Sequence, residues 1–260
     1  MLTIGWFSTG RGTGSRGLLT TVQEAILRGE LEATIQFVFS NREPGEHEGS
    51  DEFFRLVGSY GIPLVTHSSM RFRRQRGREI PWPSLRNDYH REVMKRLEGF
   101  SPDVCALAGY MLITGPEMCR RYRMLNLHPA LPEGPTGTWQ EVIWRLIEER
   151  AAATGVMVHL ATEEVDQGPP ITYVSFPIQG GVYEPLWRVA EGIPVSRLKE
   201  SPGEELSLFK RIREEGVKRE RPLLLETLAA VASGRVPLPL PSSFSPLCLN
   251  AEVRARLEQD

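Results

Sequence analysis

Short apolar runs alternating with helix-spaced segments are the feature that most limits how this chain can fold. Leu2–Ser8 is apolar and runs into a Gly-rich turn. Leu18–Leu27 has helical spacing, and Thr34–Phe39 is β-branched and aromatic. Asp51–Tyr60 reads as a helix and Ile62–Thr66 as a short strand. Leu85–Leu97 reads as a helix, with Tyr89, Val93 and Leu97 each four apart. Val104–Ala108, Met124–Leu127, Gly155–Leu160 and Ile171–Phe176 complete the predicted strands. Strands separated by helices predict an α/β fold, a doubly wound and mostly parallel sheet with helices on both faces. Ligands of such sheets gather beyond the C-terminal strand edges.

Three stretches leave this rhythm. His67–Pro83 holds Arg71, Arg73, Arg74, Arg76 and Arg78, with Trp82 between two prolines, and predicts an extended loop. Gly180–Pro202 is punctuated by Gly and Pro and leads to a predicted C-terminal helical extension over Glu204–Ser233. Arg235–Ser245 is rich in Pro and Ser. The expected organisation is a catalytic domain over residues 1–235 and a tail over 236–260.

The 260 residues are 40% hydrophobic and 25% charged, enough for a full core. A formal net charge of −2 gives no reason to expect nucleic-acid or membrane partners. Cys105, Cys119 and Cys248 lack CxxC spacing, and Cys105 sits in an apolar run. A sparse, odd cysteine count fits a reducing compartment, and no signal peptide or membrane span is visible, so a cytoplasmic protein is expected.

Two segments carry chemistry. Asn126 and His128, two apart at a strand end, share one face of that strand. Asp166, arriving from a later loop, could pair with the imidazole. Together they offer a donor to an oxyanion, a proton carrier titrating near neutrality, and a carboxylate to hold that carrier charged, which suits acyl transfer. Ser8–Gly17 is a Gly-rich turn after the first strand, with a helix starting near Ser15. Backbone N–H groups there can hold a phosphate, and Arg16 could add a charge-assisted contact. The plain alternative is a tight strand–helix turn. His47 and His67 have no metal-ligand spacing, so no metal is expected.

The motifs resemble those of the folate-dependent formyltransferase family. NLHPALP resembles its N-x-H-P-[SA]-L strand end, and VHLATEEVDQGPP its later loop, with the same seven positions from His159 to Asp166. Leu107–Ile113 resembles L-A-G-F/Y-M-R-I, with Leu112 where Arg is frequent. Arg86–Glu92 resembles R-x-x-Y-D-x-E, with His90 replacing the Asp. Gly14 and Ser15 match the family's phosphate turn, with Arg16 replacing an Asn. The resemblance spans roughly residues 1–235 and is strongest to the branch that formylates phosphoribosylglycinamide in purine synthesis.

The resemblance implies a formyltransferase-like fold with a Rossmann-type N-terminal half. It implies 10-formyltetrahydrofolate as cosubstrate, a phosphorylated amine as acceptor, and a monomer or homodimer. It implies Asn126, His128 and Asp166 as the catalytic group, and Gly14, Ser15 and Arg16 at the substrate phosphate. Arg86, Gly109, Tyr110, Met111, Leu112, Ile113 and His159 are implied around the folate and substrate. One segment departs: after HPALP, Glu133–Trp139 lacks the family's basic residue and His, which bears on the acceptor. Alternatives are another phosphorylated or sugar amine, water as acceptor (a formyltetrahydrofolate hydrolase), or a non-catalytic folate- or phosphate-binding protein.

Overall fold

A computed structural model describes residues 1–77 and 79–259. Its strands are β1 (Leu2–Ser8), β2 (Ala33–Ser40), β3 (Leu64–Thr66), β4 (Val104–Leu107), β5 (Met124–His128), β6 (Ala153–Leu160), β7 (Pro170–Pro177) and β8 (Leu247–Cys248). Its helices are α1 (Thr13–Leu27), α2 (Glu48–Ser59), α3 (Ser69–Arg76), α4 (Trp82–Arg96), α5 (Pro116–Arg121), α6 (Trp139–Glu148), α7 (Glu184–Ala190), α8 (Val195–Glu200), α9 (Ser207–Ala232) and α10 (Asn250–Leu257). The strands form one sheet in the order β3-β2-β1-β4-β5-β6-β7-β8. β1 pairs in parallel with β2 and β4, and β4 with β5, whereas β6 and β7 are antiparallel. This is the expected mostly parallel α/β sheet.

The chain divides into two compact units. The first holds Met1–Asn126, Leu160–Pro169 and Leu228–Pro241; the second holds Leu127–His159, Pro170–Thr227 and the chain from Ser242 on. In the first, β1 is buried along nearly its whole length, as a central strand covered on both faces must be. Gly5 is required there, because a Cβ would stand 2.7 Å from the Phe37 ring and 2.8 Å from Cys105 Sγ. Phe7, Phe37, Phe39, Tyr89, Tyr110 and Met124 lead this unit's aromatic core. Burial pushes the Cys105 thiol well above its ordinary range.

In the second unit, Ile143, Trp144, Phe176, Trp187, Leu198 and Phe209 share a core. α6 starts on a capping box: Thr138 accepts from the Glu141 N–H at 3.3 Å, and the Glu141 carboxylate accepts from the Thr138 N–H at 2.7 Å.

One expectation needs correction. The stretch from His67 to Pro83 is not an extended loop but contains α3 and the start of α4. Ser68 caps α3 by accepting from the Arg71 N–H at 3.0 Å. Phe72 anchors it against the rings of His67 and Tyr89. Arg78 lies outside the described residues. The Gly/Pro-punctuated stretch from Gly180 to Pro202 holds α7, α8 and a 3-10 turn at Gly181–Tyr183. Beyond Arg235, the chain adds β8 alongside β7 and then α10, with Leu249 and Val253 buried.

Candidate active site

The sheet reverses its winding between β1 and β4, so the C-terminal ends of these strands form the switch point where a parallel sheet opens to ligands. The sequence-predicted turn and the Gly109–Ile113 segment meet there, inside the first unit. The Thr9 N–H donates to the Gly109 carbonyl at 3.0 Å, and the Thr9 hydroxyl accepts from the Met111 N–H at 3.0 Å. Gly109 has φ +75°, and a Cβ on it would lie 2.3 Å from Ser15 Oγ. Only glycine lets the two segments approach this closely. Thr9 was not singled out from the sequence; its position directly after an apolar strand was the available signal.

α1 begins beside this junction with Gly12 as N-cap, no side-chain cap and no acidic residue in its first turn. The first-turn N–H groups of such a helix favour an anion. Gly14 is exposed, and a Cβ there would meet nothing within 4 Å. Arg16, expected at the substrate phosphate, has partners on α2. It pairs with Glu52 at 2.7 Å and donates to the Gly49 carbonyl at 3.3 Å, so its charge is engaged on α2.

Beyond Gly109, Met111 is 71% and Ile113 45% exposed, while Tyr110 is buried. An apolar shelf therefore projects from a fixed aromatic. Burial raises the Tyr110 hydroxyl far above its ordinary value, so it stays protonated. Arg86 is half-buried on α4, and its Nε is buried with no hydrogen-bond partner among the described residues. An unpaired guanidinium N–H of this kind suits an oxygen acceptor from a ligand or water.

At the end of β5, Asn126 and His128 lie two residues apart. Asn126 Nδ2 donates to the Asp166 carboxylate at 3.4 Å. Asp166 has φ +56°, a left-handed conformation that Asp tolerates better than most residues. Its loop is closed by the Leu160 N–H on the Pro169 carbonyl at 3.0 Å and the Ala161 N–H on Met124 at 2.7 Å. Gly168 is needed for this closure, since a Cβ would sit 1.6 Å from the Leu160 carbonyl. Asn126 and Asp166 thus belong to the first unit, and His128 and His159 to the second.

His128 is buried, and its Nε2 donates to the Pro135 carbonyl at 2.8 Å. A carbonyl only accepts, so Nε2 carries a proton. His159 is buried on β6, its ring edge-on to that of His128 at 6.3 Å. Pro135 lies in the segment where the family's basic residue and His are missing.

The sequence matches the family described as Formyl transferase over residues 12–181. The chain belongs to the formyl transferase family. It is a folate-dependent formyltransferase similar to the phosphoribosylglycinamide formyltransferases. One of these, from Schizosaccharomyces pombe, is 28% identical over 179 residues, covering 65% of this chain and 80% of its own length. A formyltetrahydrofolate deformylase from Haemophilus influenzae is 26% identical over 149 residues, covering 55% of this chain and 44% of its own. The fold is shared with a glycinamide ribonucleotide transformylase from Symbiobacterium toebii, at a TM-score of 0.63 and 21% identity, covering 90% and 89% of the two chains.

Proposed function

We propose that this enzyme moves a formyl group from 10-formyltetrahydrofolate to the amine of phosphoribosylglycinamide. The observation that carries the reading is the junction at the β1/β4 switch point. There the turn that leads into an uncapped helix start suited to a phosphate is hydrogen-bonded, at Thr9, to the segment bearing an exposed apolar shelf suited to a flat heterocycle. Gly14 and Ser15 would present backbone N–H groups to the phosphate. Arg86, with its unpaired Nε, would meet an oxygen of the folate or substrate.

The acceptor amine attacks the formyl carbon, and the formyl oxygen takes the negative charge. The Asn126 amide and the protonated His128 ring donate to that oxyanion. The bond from carbon to the folate nitrogen then breaks, and the proton lost by the amine is delivered to that nitrogen. Asp166 orients Asn126 through the hydrogen bond described above. An oxyanion donor is worth about 3 kcal/mol and a positioned acid–base group about 10²–10⁴ in rate. No covalent enzyme intermediate is needed.

A second reading, with water as acceptor, is favoured by the loss of basic groups over Glu133–Trp139 and by the similarity to a deformylase. An assay of 10-formyltetrahydrofolate with and without phosphoribosylglycinamide separates the two. Amine-dependent formylation supports the transferase. Tetrahydrofolate released at the same rate without the amine supports the hydrolase. No turnover under either condition rejects both.

A further inference from the structure

His90 takes no part in the chemistry above, yet it is 1% exposed and both its ring nitrogens are engaged. Nδ1 accepts from the Gly115 backbone N–H at 3.1 Å, which leaves the ring proton on Nε2. Nε2 faces the Tyr110 hydroxyl at 3.3 Å and donates to it. One imidazole therefore grips both ends of the segment Tyr110–Gly115, a side chain at its start and the backbone at its finish. The first end is reinforced by packing of the Tyr110 ring against Phe7 and Phe39. The second is the N-cap of α5, so the same bond sets where that helix begins. Between the two grips lie Met111, Leu112 and Ile113.

Chemistry explains why an imidazole does this well. A neutral ring offers one acceptor and one donor about opposite each other, so neither partner is left unsatisfied in the interior. A phenyl ring would fill the space and bind neither. The carboxylate found here in the family pattern could only accept from both partners and would bring a charge into a buried position.

We propose that His90 is a positioning residue that sets the shape of the Tyr110–Gly115 segment and so aims the apolar shelf at the folate ring. The proposal rests on the functional reading above. Three substitutions divide the role. His90→Asn keeps an acceptor near the Nδ1 position, His90→Gln keeps a polar group near the Nε2 position, and His90→Phe keeps only the volume. Tetrahydrofolate binding by calorimetry, KM for each substrate, and melting temperature are measured for each.

Losing both grips should weaken tetrahydrofolate and raise the folate KM by about tenfold or more in His90→Phe, as expected for buried hydrogen-bonding groups left unpaired. The KM for the acceptor and kcat should move far less, and His90→Asn should recover most of the affinity by holding Gly115. A lower melting temperature with unchanged folate KM and affinity overturns the proposal. Should the His90 variants fail to fold, Tyr110→Phe removes one grip alone, and unchanged folate affinity there also overturns it. Wild-type protein that binds no tetrahydrofolate rejects the functional reading itself. Wild-type binding matched by every variant leaves that reading intact and removes His90 from it.

Discussion

His128 is held by the carbonyl of Pro135, seven residues further along, through a 2.8 Å hydrogen bond from Nε2. For His128 to donate to the proposed oxyanion through Nε2, the Glu133–Trp139 segment has to release it.

His128→Ala and Asp166→Asn should each lower turnover by about 10²–10⁴ with circular dichroism unchanged. Because the groups act on one transition state, the double variant should be little worse than the worse single one. Near-normal turnover in either single variant removes that residue from the mechanism.

Two glycines should respond in opposite ways. Gly14→Ala places a methyl group in open space on a helix and should stabilise the fold by about 0.5–1 kcal/mol. Gly14→Val should weaken a phosphorylated acceptor while sparing folate, since bulk there crowds the helix start. Equal weakening of both ligands would move the phosphate elsewhere. Gly168→Ala forces a carbon into the Leu160 carbonyl and should cost about 3 kcal/mol or more in urea unfolding.

Arg16 is paired with Glu52, both partly exposed, so the pair adds little to stability, about 1 kcal/mol at most. Its removal tests whether the arginine can serve the anion site. Glu52→Gln should tighten the phosphorylated acceptor in low salt, with the gain fading as ionic strength rises. Unchanged affinity at every salt concentration would confine Arg16 to its role on α2.

His90 titrates at about 4 in the fold, against an ordinary 6.5, because burial and then the Arg86 charge disfavour its cation. As pH falls, the unfolded chain takes up the proton first. The contribution is whole above 6.5, declines from there to about 4 and is then flat, a total of about 3 kcal/mol. His67, lowered mainly by burial, acts in the same direction. Unfolding free energies measured from neutral pH to about pH 4 should fall less steeply in His90→Phe than in the wild type. Parallel curves would show that His90 is not the group responsible.

The strands were legible because β1, β2 and β4 are apolar runs too short for a helix and bounded by turns. The Asn126, His128 and Asp166 motifs were legible because each is local. α3 was hidden by its arginines, with Phe72 its deepest apolar anchor. α6 is announced by Thr138-x-x-Glu141, a capping-box spacing. The His90 bonds span 20 and 25 positions and the Arg16–Glu52 pair joins two helices, so no local pattern encodes them. Arg16 went to a carboxylate because α2 offers one within reach, a competition invisible along the chain.

The excursion that carries Asp166 has a consequence for how the protein can be cut. The chain leaves β6, gives Leu160–Pro169 to the first unit, and returns to begin β7. A fragment ending at Asn126 would therefore keep the glycine turn, the apolar shelf and Asn126 itself, yet lack the carboxylate that Asn126 bonds. Reconstituting that unit would require both the excursion and Leu228–Pro241 as separate peptides, because the unit is assembled from three distant stretches of chain.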